Sequence, residues 1–286
     1  MIERFILLLL VVATPTLPQT VSNEKLARCQ GSIVLQAQAR QNPSREFSLD
    51  LREPAGARLI YIGVRHNFDP ADAQYTEMER IWQQLQPTEA FYEGTGNFVG
   101  DTRNAAIERS GEPGLVRYLA SVNGVPARSL EPPREAEVEF LLQKFTAEQL
   151  VLFFVTRSVA EERDRRNLPP RLLEDRFDQY LAQARITRQL SDVLPDMAVF
   201  RRAYERWFPG MDPASAPMRW FDPIGMSAET GGRFFNEVSR ESSAFRDTYM
   251  YRLLAQAWQS SARIFAAVGR DHIPAQAAAL RCALTP

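Results

Sequence analysis

The chain is poor in the side chains that most often carry chemistry: among 286 residues there are two histidines and two cysteines. So few cysteines exclude a disulfide-dense scaffold, and cysteines placed at positions 29 and 282 exclude a compact zinc knuckle. A surplus of one charge is also missing. The 34 Lys and Arg against 35 Asp and Glu leave a formal net charge of -1, which offers no footprint for nucleic acid or an anionic membrane surface. Long apolar runs are absent too, since residues 5–13 fall short of the roughly 20 that a bilayer-spanning helix needs.

That short run follows Arg4 and precedes Thr14-Pro15-Thr16-Leu17-Pro18, so residues 1–20 read as a secretory signal cut between Ala13 and Thr20. Attachment to a membrane would follow only from an uncut signal. The remaining chain, 21–286, is about the size of one large domain, and 45% apolar composition is enough for a core. In an exported chain Cys29 and Cys282 are expected to form a disulfide. Closing so long a loop stabilises by roughly 4 to 5 kcal/mol in the chain-entropy model. Two buried free thiols are the alternative.

What is present is a repeated frame. The apolar segment 57–62 leads into Gly63-Val64-Arg65-His66, and the apolar segment 262–268 leads into Gly269-Arg270-Asp271-His272. Both histidines thus occupy Gly-x-x-His after a strand, each ahead of a helix. The first helix follows Asp69-Pro70 and carries Tyr75, Met78, Trp82 and Leu85 at helical spacing; the second is opened by Pro274. Further strands are expected at 33–35 and 47–51, at 90–92 ending on Glu93, and within 125–132 ending on Glu131. Residues 133–208 read as a helical insertion, with a capping box at Thr146 and Gln149. Residues 209–232 form a long loop whose length suits a lid, although its Trp220-Phe221 pair is more often core packing. The fold expected is α/β (or α+β): a central mixed sheet flanked by helices, with two pseudo-repeated strand-His-helix units.

Glycine three residues before histidine permits a sharp turn and a close backbone approach at a strand end. Two such turns on neighbouring strands would aim His66 and His272 into one crevice at the carboxyl edge of the sheet, where open α/β folds bind ligands. Glu93 and Glu131 could enter the same crevice, with capping of the next helix as the alternative for Glu131. On the last helix, at about 233–260, Arg246 falls on the core side and needs a carboxylate, for which Glu93 and Glu131 are the candidates. An ion pair of Arg246 with Asp247 is the bland alternative. His66, Glu93 and His272 would suit manganese, cobalt or zinc. Without metal the same set supports general-base hydrolysis, with Arg246 stabilising an oxyanion or holding a substrate carboxylate.

Gly63 with His66, Glu93, Leu130-Glu131, Arg246-Asp247 and Gly269 with His272, in this order over about 57–280, resemble the TraB/GumN family of the TIKI superfamily. ChaN-like haem-binding proteins and erythromycin esterases are its distant relatives. The sequence departs from the usual Gly-Thr-x-His by having Val64, and from the usual second-site glycines by having Pro274-Ala275-Gln276-Ala277. The resemblance implies hydrolysis of a peptide or ester bond in the bacterial periplasm, with a divalent metal or with none, on a peptide or small-molecule substrate. Its alternative implication is a non-catalytic haem- or metal-binding protein.

Overall fold

A computed structural model describes residues 22–53, 56–259 and 263–285; the expected signal segment lies outside them. Five strands form one mixed sheet in the order β1-β2-β5-β3-β4: β1 (Ser48–Arg52), β2 (Arg58–Val64), β3 (Glu89–Tyr92), β4 (Ala127–Ser129) and β5 (Arg263–Gly269). β1 and β2 are antiparallel, and every other pairing is parallel. β2 and β5 are nearly continuous apolar runs because both of their faces are covered.

Alternation along β2 sorts those faces. Leu59 and Tyr61 join Phe91, Ile264 and Ala266 in a core closed by α10 (Phe234–Trp258) and α11 (His272–Leu284). Ile60 and Ile62 join Ala90, Phe265 and Ala267 under α3 (Ala73–Leu85) and α4 (Arg103–Asn123). Helices therefore cover both sides. The chain passes from β2 through α3 to β3 and leaves a slot that β5 fills last, so the ends of β2, β5 and β3 form the crevice expected of such a sheet.

A third apolar cluster belongs to α5 (Arg134–Leu141), α6 (Ala147–Arg165), α7 (Leu173–Ala184) and α8 (Met197–Trp207). The Thr146–Gln149 capping box starts α6. Trp220 and Phe221 are core here, with Trp220 stacked 4.6 Å from Phe208. The long loop around them includes the short α9 (Ser227–Thr230). α10 joins the two parts: Phe234, Phe235 and Val238 pack with the insertion, while Met250, Tyr251 and Leu254 pack under the sheet. Arg246 and Asp247 fall at the junction.

Cys29, on α1 (Asn23–Gln30), is bonded to Cys282 on α11, tying the first described helix to the last. Residues 33–35 are not a strand. Val34 N–H donates to the carbonyl of Ala275 instead, and Leu35 leads into α2 (Gln36–Arg40). Three apolar residues without a partner strand have no ladder to join, so their N–H groups go to Gln30, to Ala275 in the first turn of α11 and to the Gln38 side chain. α11 begins at His272 itself, with Pro274 inside its first turn where the missing N–H is harmless. Among the described residues no helix is long and apolar enough to cross a membrane.

Candidate active site at the sheet edge

Register sets the two Gly-x-x-His frames side by side, one residue apart. Gly63 pairs with Val268 and Val64 with Gly269, so the chain leaves both strands at the same height. A β-carbon on Gly63 would lie 2.6 Å from the α-carbon of Arg270, which is why the second frame can cross over the end of β2 only if residue 63 is glycine. Arg270 N–H then donates to the Val64 carbonyl at 3.0 Å.

The two imidazoles converge on Glu93 at the end of β3. His66 Nε2 is 3.9 Å from Glu93 Oε2, and His272 Nε2 is 3.5 Å from Glu93 Oε1. Each ring is held from behind by its own acid. His272 Nδ1 lies 2.7 Å from Asp247 on α10, and Nδ1 of His66 is paired with Glu112. Asp247 is fixed in turn by Gln276 Nε2 at 2.7 Å, and Tyr61 O–H donates to Gln276 at 3.3 Å.

Glu112 is the residue that the sequence reading missed. It sits in α4 directly after Gly111, whose backbone has φ of +62°, a left-handed turn that breaks the helix and swings the acid toward His66. Pro113 follows at once. An acid bracketed by glycine and proline inside a helical stretch was the available signal, but only the tertiary approach of α4 to the β2 loop gives it a partner.

Glu93 is saturated. Its Oε1 accepts from Arg246 Nη2 at 2.5 Å and its Oε2 from the backbone N–H of Gly269 at 2.5 Å. Arg246 also donates to Glu131 through Nε at 2.7 Å and Nη2 at 2.6 Å. Arg246 thus pairs with both candidates rather than with its neighbour Asp247, because adjacent helical residues face different directions. Glu131 is taken up by this pairing instead of capping α5, which has no side-chain cap.

These contacts set the protonation states. Burial pushes Glu93 up, but the charges of His272 and Arg246, with His66 beyond them, hold it well below the usual carboxylate range. Burial works against a charged His272, yet Asp247 and Glu93 outweigh it and raise the ring to about 10. His66 is raised as well, burial again being overcome by the Glu112 hydrogen bond and the charges of Glu93 and Glu112. Two raised histidines accompany a group rich in carboxylates: Glu93 and Glu131 share the Arg246 guanidinium, Glu112 stands behind His66 and Asp247 behind His272.

Such a group suits a cation. His66, Glu93 and Glu112 each present a ligand atom within 4.8 Å of the others, a donor set that can hold a metal ion. Glu112 stands in this compact group, whereas the set expected from sequence was His66, Glu93 and His272; His272 faces the same Glu93 carboxylate from its far side. His66 and His272 both line a cleft of about 370 Å³. The His66 side chain is 32% exposed and the His272 side chain 7%, so His66 is the one presented to a ligand. Met218, Phe221 and Ile224 also line it, so the long loop contributes to the cleft. Compared with protein-family models, curated proteins and solved structures, the chain matches none.

Proposed function

We propose that the protein is an exported hydrolase of a peptide or ester bond, with a divalent ion such as manganese, cobalt or zinc held by His66 and Glu93 and with Glu112 behind the His66 ring. The observation that carries this reading is the His66 ring, locked at Nδ1 by a buried acid and open to the cleft beside a second carboxylate. Pairing of an imidazole with a carboxylate at its far nitrogen is the usual outer support of a metal-binding histidine. The ion would polarise the scissile carbonyl and make water a better nucleophile at neutral pH. Glu112 fixes the ring of His66. Arg246 and the Gly269 N–H keep Glu93 charged and stationary, and Glu131 keeps Arg246 in place. His272 holds a proton beside the reacting groups, where it can donate to developing negative charge. The disulfide and the signal-like segment support export.

A metal-free reading draws on the same pair, since a carboxylate behind Nδ1 is also how a general-base histidine is oriented. Haem suits the cleft less well. It needs broad apolar faces, and the walls carry Arg157, Glu161, Arg165 and Asp222.

The test is turnover of peptide and ester panels by chelator-treated protein, with manganese, cobalt or zinc restored. Metal-dependent cleavage that falls at least about a hundredfold in His66→Ala supports the proposal. Undiminished cleavage after chelation selects the general-base reading. A protein that binds metal or haem stoichiometrically and cleaves nothing is a binding protein.

A further inference from the structure

Of the carboxylates around the two histidines only Glu93 lines the cleft, where Arg246 is paired with it, and the remaining lining is richer in arginine than in acid. Among the wall arginines, Arg40 is paired with Asp271 at 2.7 Å and Arg157 with Glu161 at 3.1 Å. Three others have weaker claims on them. Arg65 reaches Asp72 only at 3.9 Å and Arg165 reaches Glu161 only at 3.8 Å. Arg270 is in no ion pair among the described residues and lies instead 5.5 Å from the centre of the Phe47 ring. Arg65 and Arg270 border both this cleft and the adjoining hollow that holds Asp72 and Phe47, and the cleft lining itself adds one further carboxylate, Asp222.

Arg65 and Arg270 are not placed at random. Both belong to the Gly-x-x-His frames, Arg65 directly before His66 and Arg270 directly after Gly269, on the adjoining ends of β2 and β5. The Arg270 backbone rests on Gly63, so its side chain starts within one residue of the strand end that carries Arg65. The Arg65 side chain is 70% exposed and free to turn toward a ligand. A guanidinium offers its donors as a planar fork, which matches the paired oxygens of a carboxylate or phosphate.

We infer that the substrate carries an anionic group, a carboxylate or a phosphate, beside the bond to be cleaved, and that Arg65 and Arg270, backed by Arg165, hold it. This deepens the hydrolytic reading above and rests on it for the word substrate. The positive rim draws the anion in, and Glu93, already paired with Arg246, disfavours its deeper approach. The reacting bond is then left over His66.

The test is isothermal titration of the full, disulfide-bonded protein with benzoylglycine against its neutral amide, and with phenyl phosphate against anisole. The expected result is binding of one anion at least about tenfold tighter than its neutral partner, the size of one charge-assisted contact. That preference should be lost in Arg65→Ala/Arg270→Ala and partly kept in Arg65→Lys/Arg270→Lys, with circular dichroism confirming that each variant folds. The tighter of the two anions names the group. No preference in the parent protein, or a preference that survives the double alanine variant, overturns the inference. Cleavage confined to neutral substrates would also overturn it while sparing the hydrolytic reading. Anion-selective binding with no turnover of any panel would do the reverse.

Discussion

Gly269 lies under the His66 ring so closely that a β-carbon there would stand 2.8 Å from Nε2 and 3.2 Å from Oε2 of Glu93. Neither neighbour can yield easily. The ring is pinned by Glu112, and the carboxylate by Arg246 and by the Gly269 N–H itself. Gly269→Ala is expected to destabilise by about 1–3 kcal/mol, as overpacking does. Divalent-metal affinity should fall about tenfold or more because His66 and Glu93 are pushed apart. Thermal melts and metal titration check both numbers; an alanine variant that binds metal like the parent refutes the close packing.

Only two histidines contribute imidazole signals, so each can be titrated separately by NMR in metal-free protein. In Glu112→Gln the midpoint of His66 should move down, since burial remains while the hydrogen bond and charge that raise it are removed. His272, held by Asp247, should stay where it is. An unmoved His66 midpoint would show that Glu112 does not set its protonation.

His272 makes stability depend on pH. Its folded value of about 10 lies above the ordinary 6.5, so its proton-linked stabilisation is complete below about pH 6.5 and is lost as pH rises toward 10. The span is on the order of a few kcal/mol for so buried a ring. Urea unfolding of the metal-free protein at pH 6 and pH 9.5 should show a steeper loss in the parent than in His272→Gln. Equal losses would mean that the Asp247 and Glu93 pairing does not hold the proton.

Arg246→Met should destabilise by about 3–5 kcal/mol, because Glu93 and Glu131 would be left buried without their shared cation. Replacing the two glutamates by glutamine in the same variant should recover much of that loss, since neutral amides need no counter-charge. Chemical denaturation of the single and triple variants decides it. A single variant as stable as the parent would show that the cluster is solvated rather than closed.

Much of this was legible along the chain. The apolar runs ahead of the two Gly-x-x-His frames announced β2 and β5, and helical spacing announced α3 and α10. The core-side position of Arg246 required an acid, and both acids at strand ends meet it. Repetition of Gly-x-x-His placed His66 and His272 together because the fold then had only to make the two strands neighbours. The segment 33–35 misled because three apolar residues in a row do not make a strand without a partner; Val34 and Leu35 stay exposed, and Val34 bonds to the first turn of α11.

Local chemistry therefore determined the strands, the glycine turns, the two histidines and the need of Arg246 for a counter-charge, since each depends on neighbours a few positions away. Only tertiary structure decided which acid stands behind which ring. Glu112 lies 46 positions from His66 and Asp247 lies 25 from His272. Nothing in local spacing relates them. The insertion of β5 between β2 and β3 sets the two frames side by side, the break at Gly111 turns Glu112 inward, and α10 carries Arg246 and Asp247 across the junction of two cores. Those long-range placements set the sign of the charge in the cleft, and with it the protonation of both histidines.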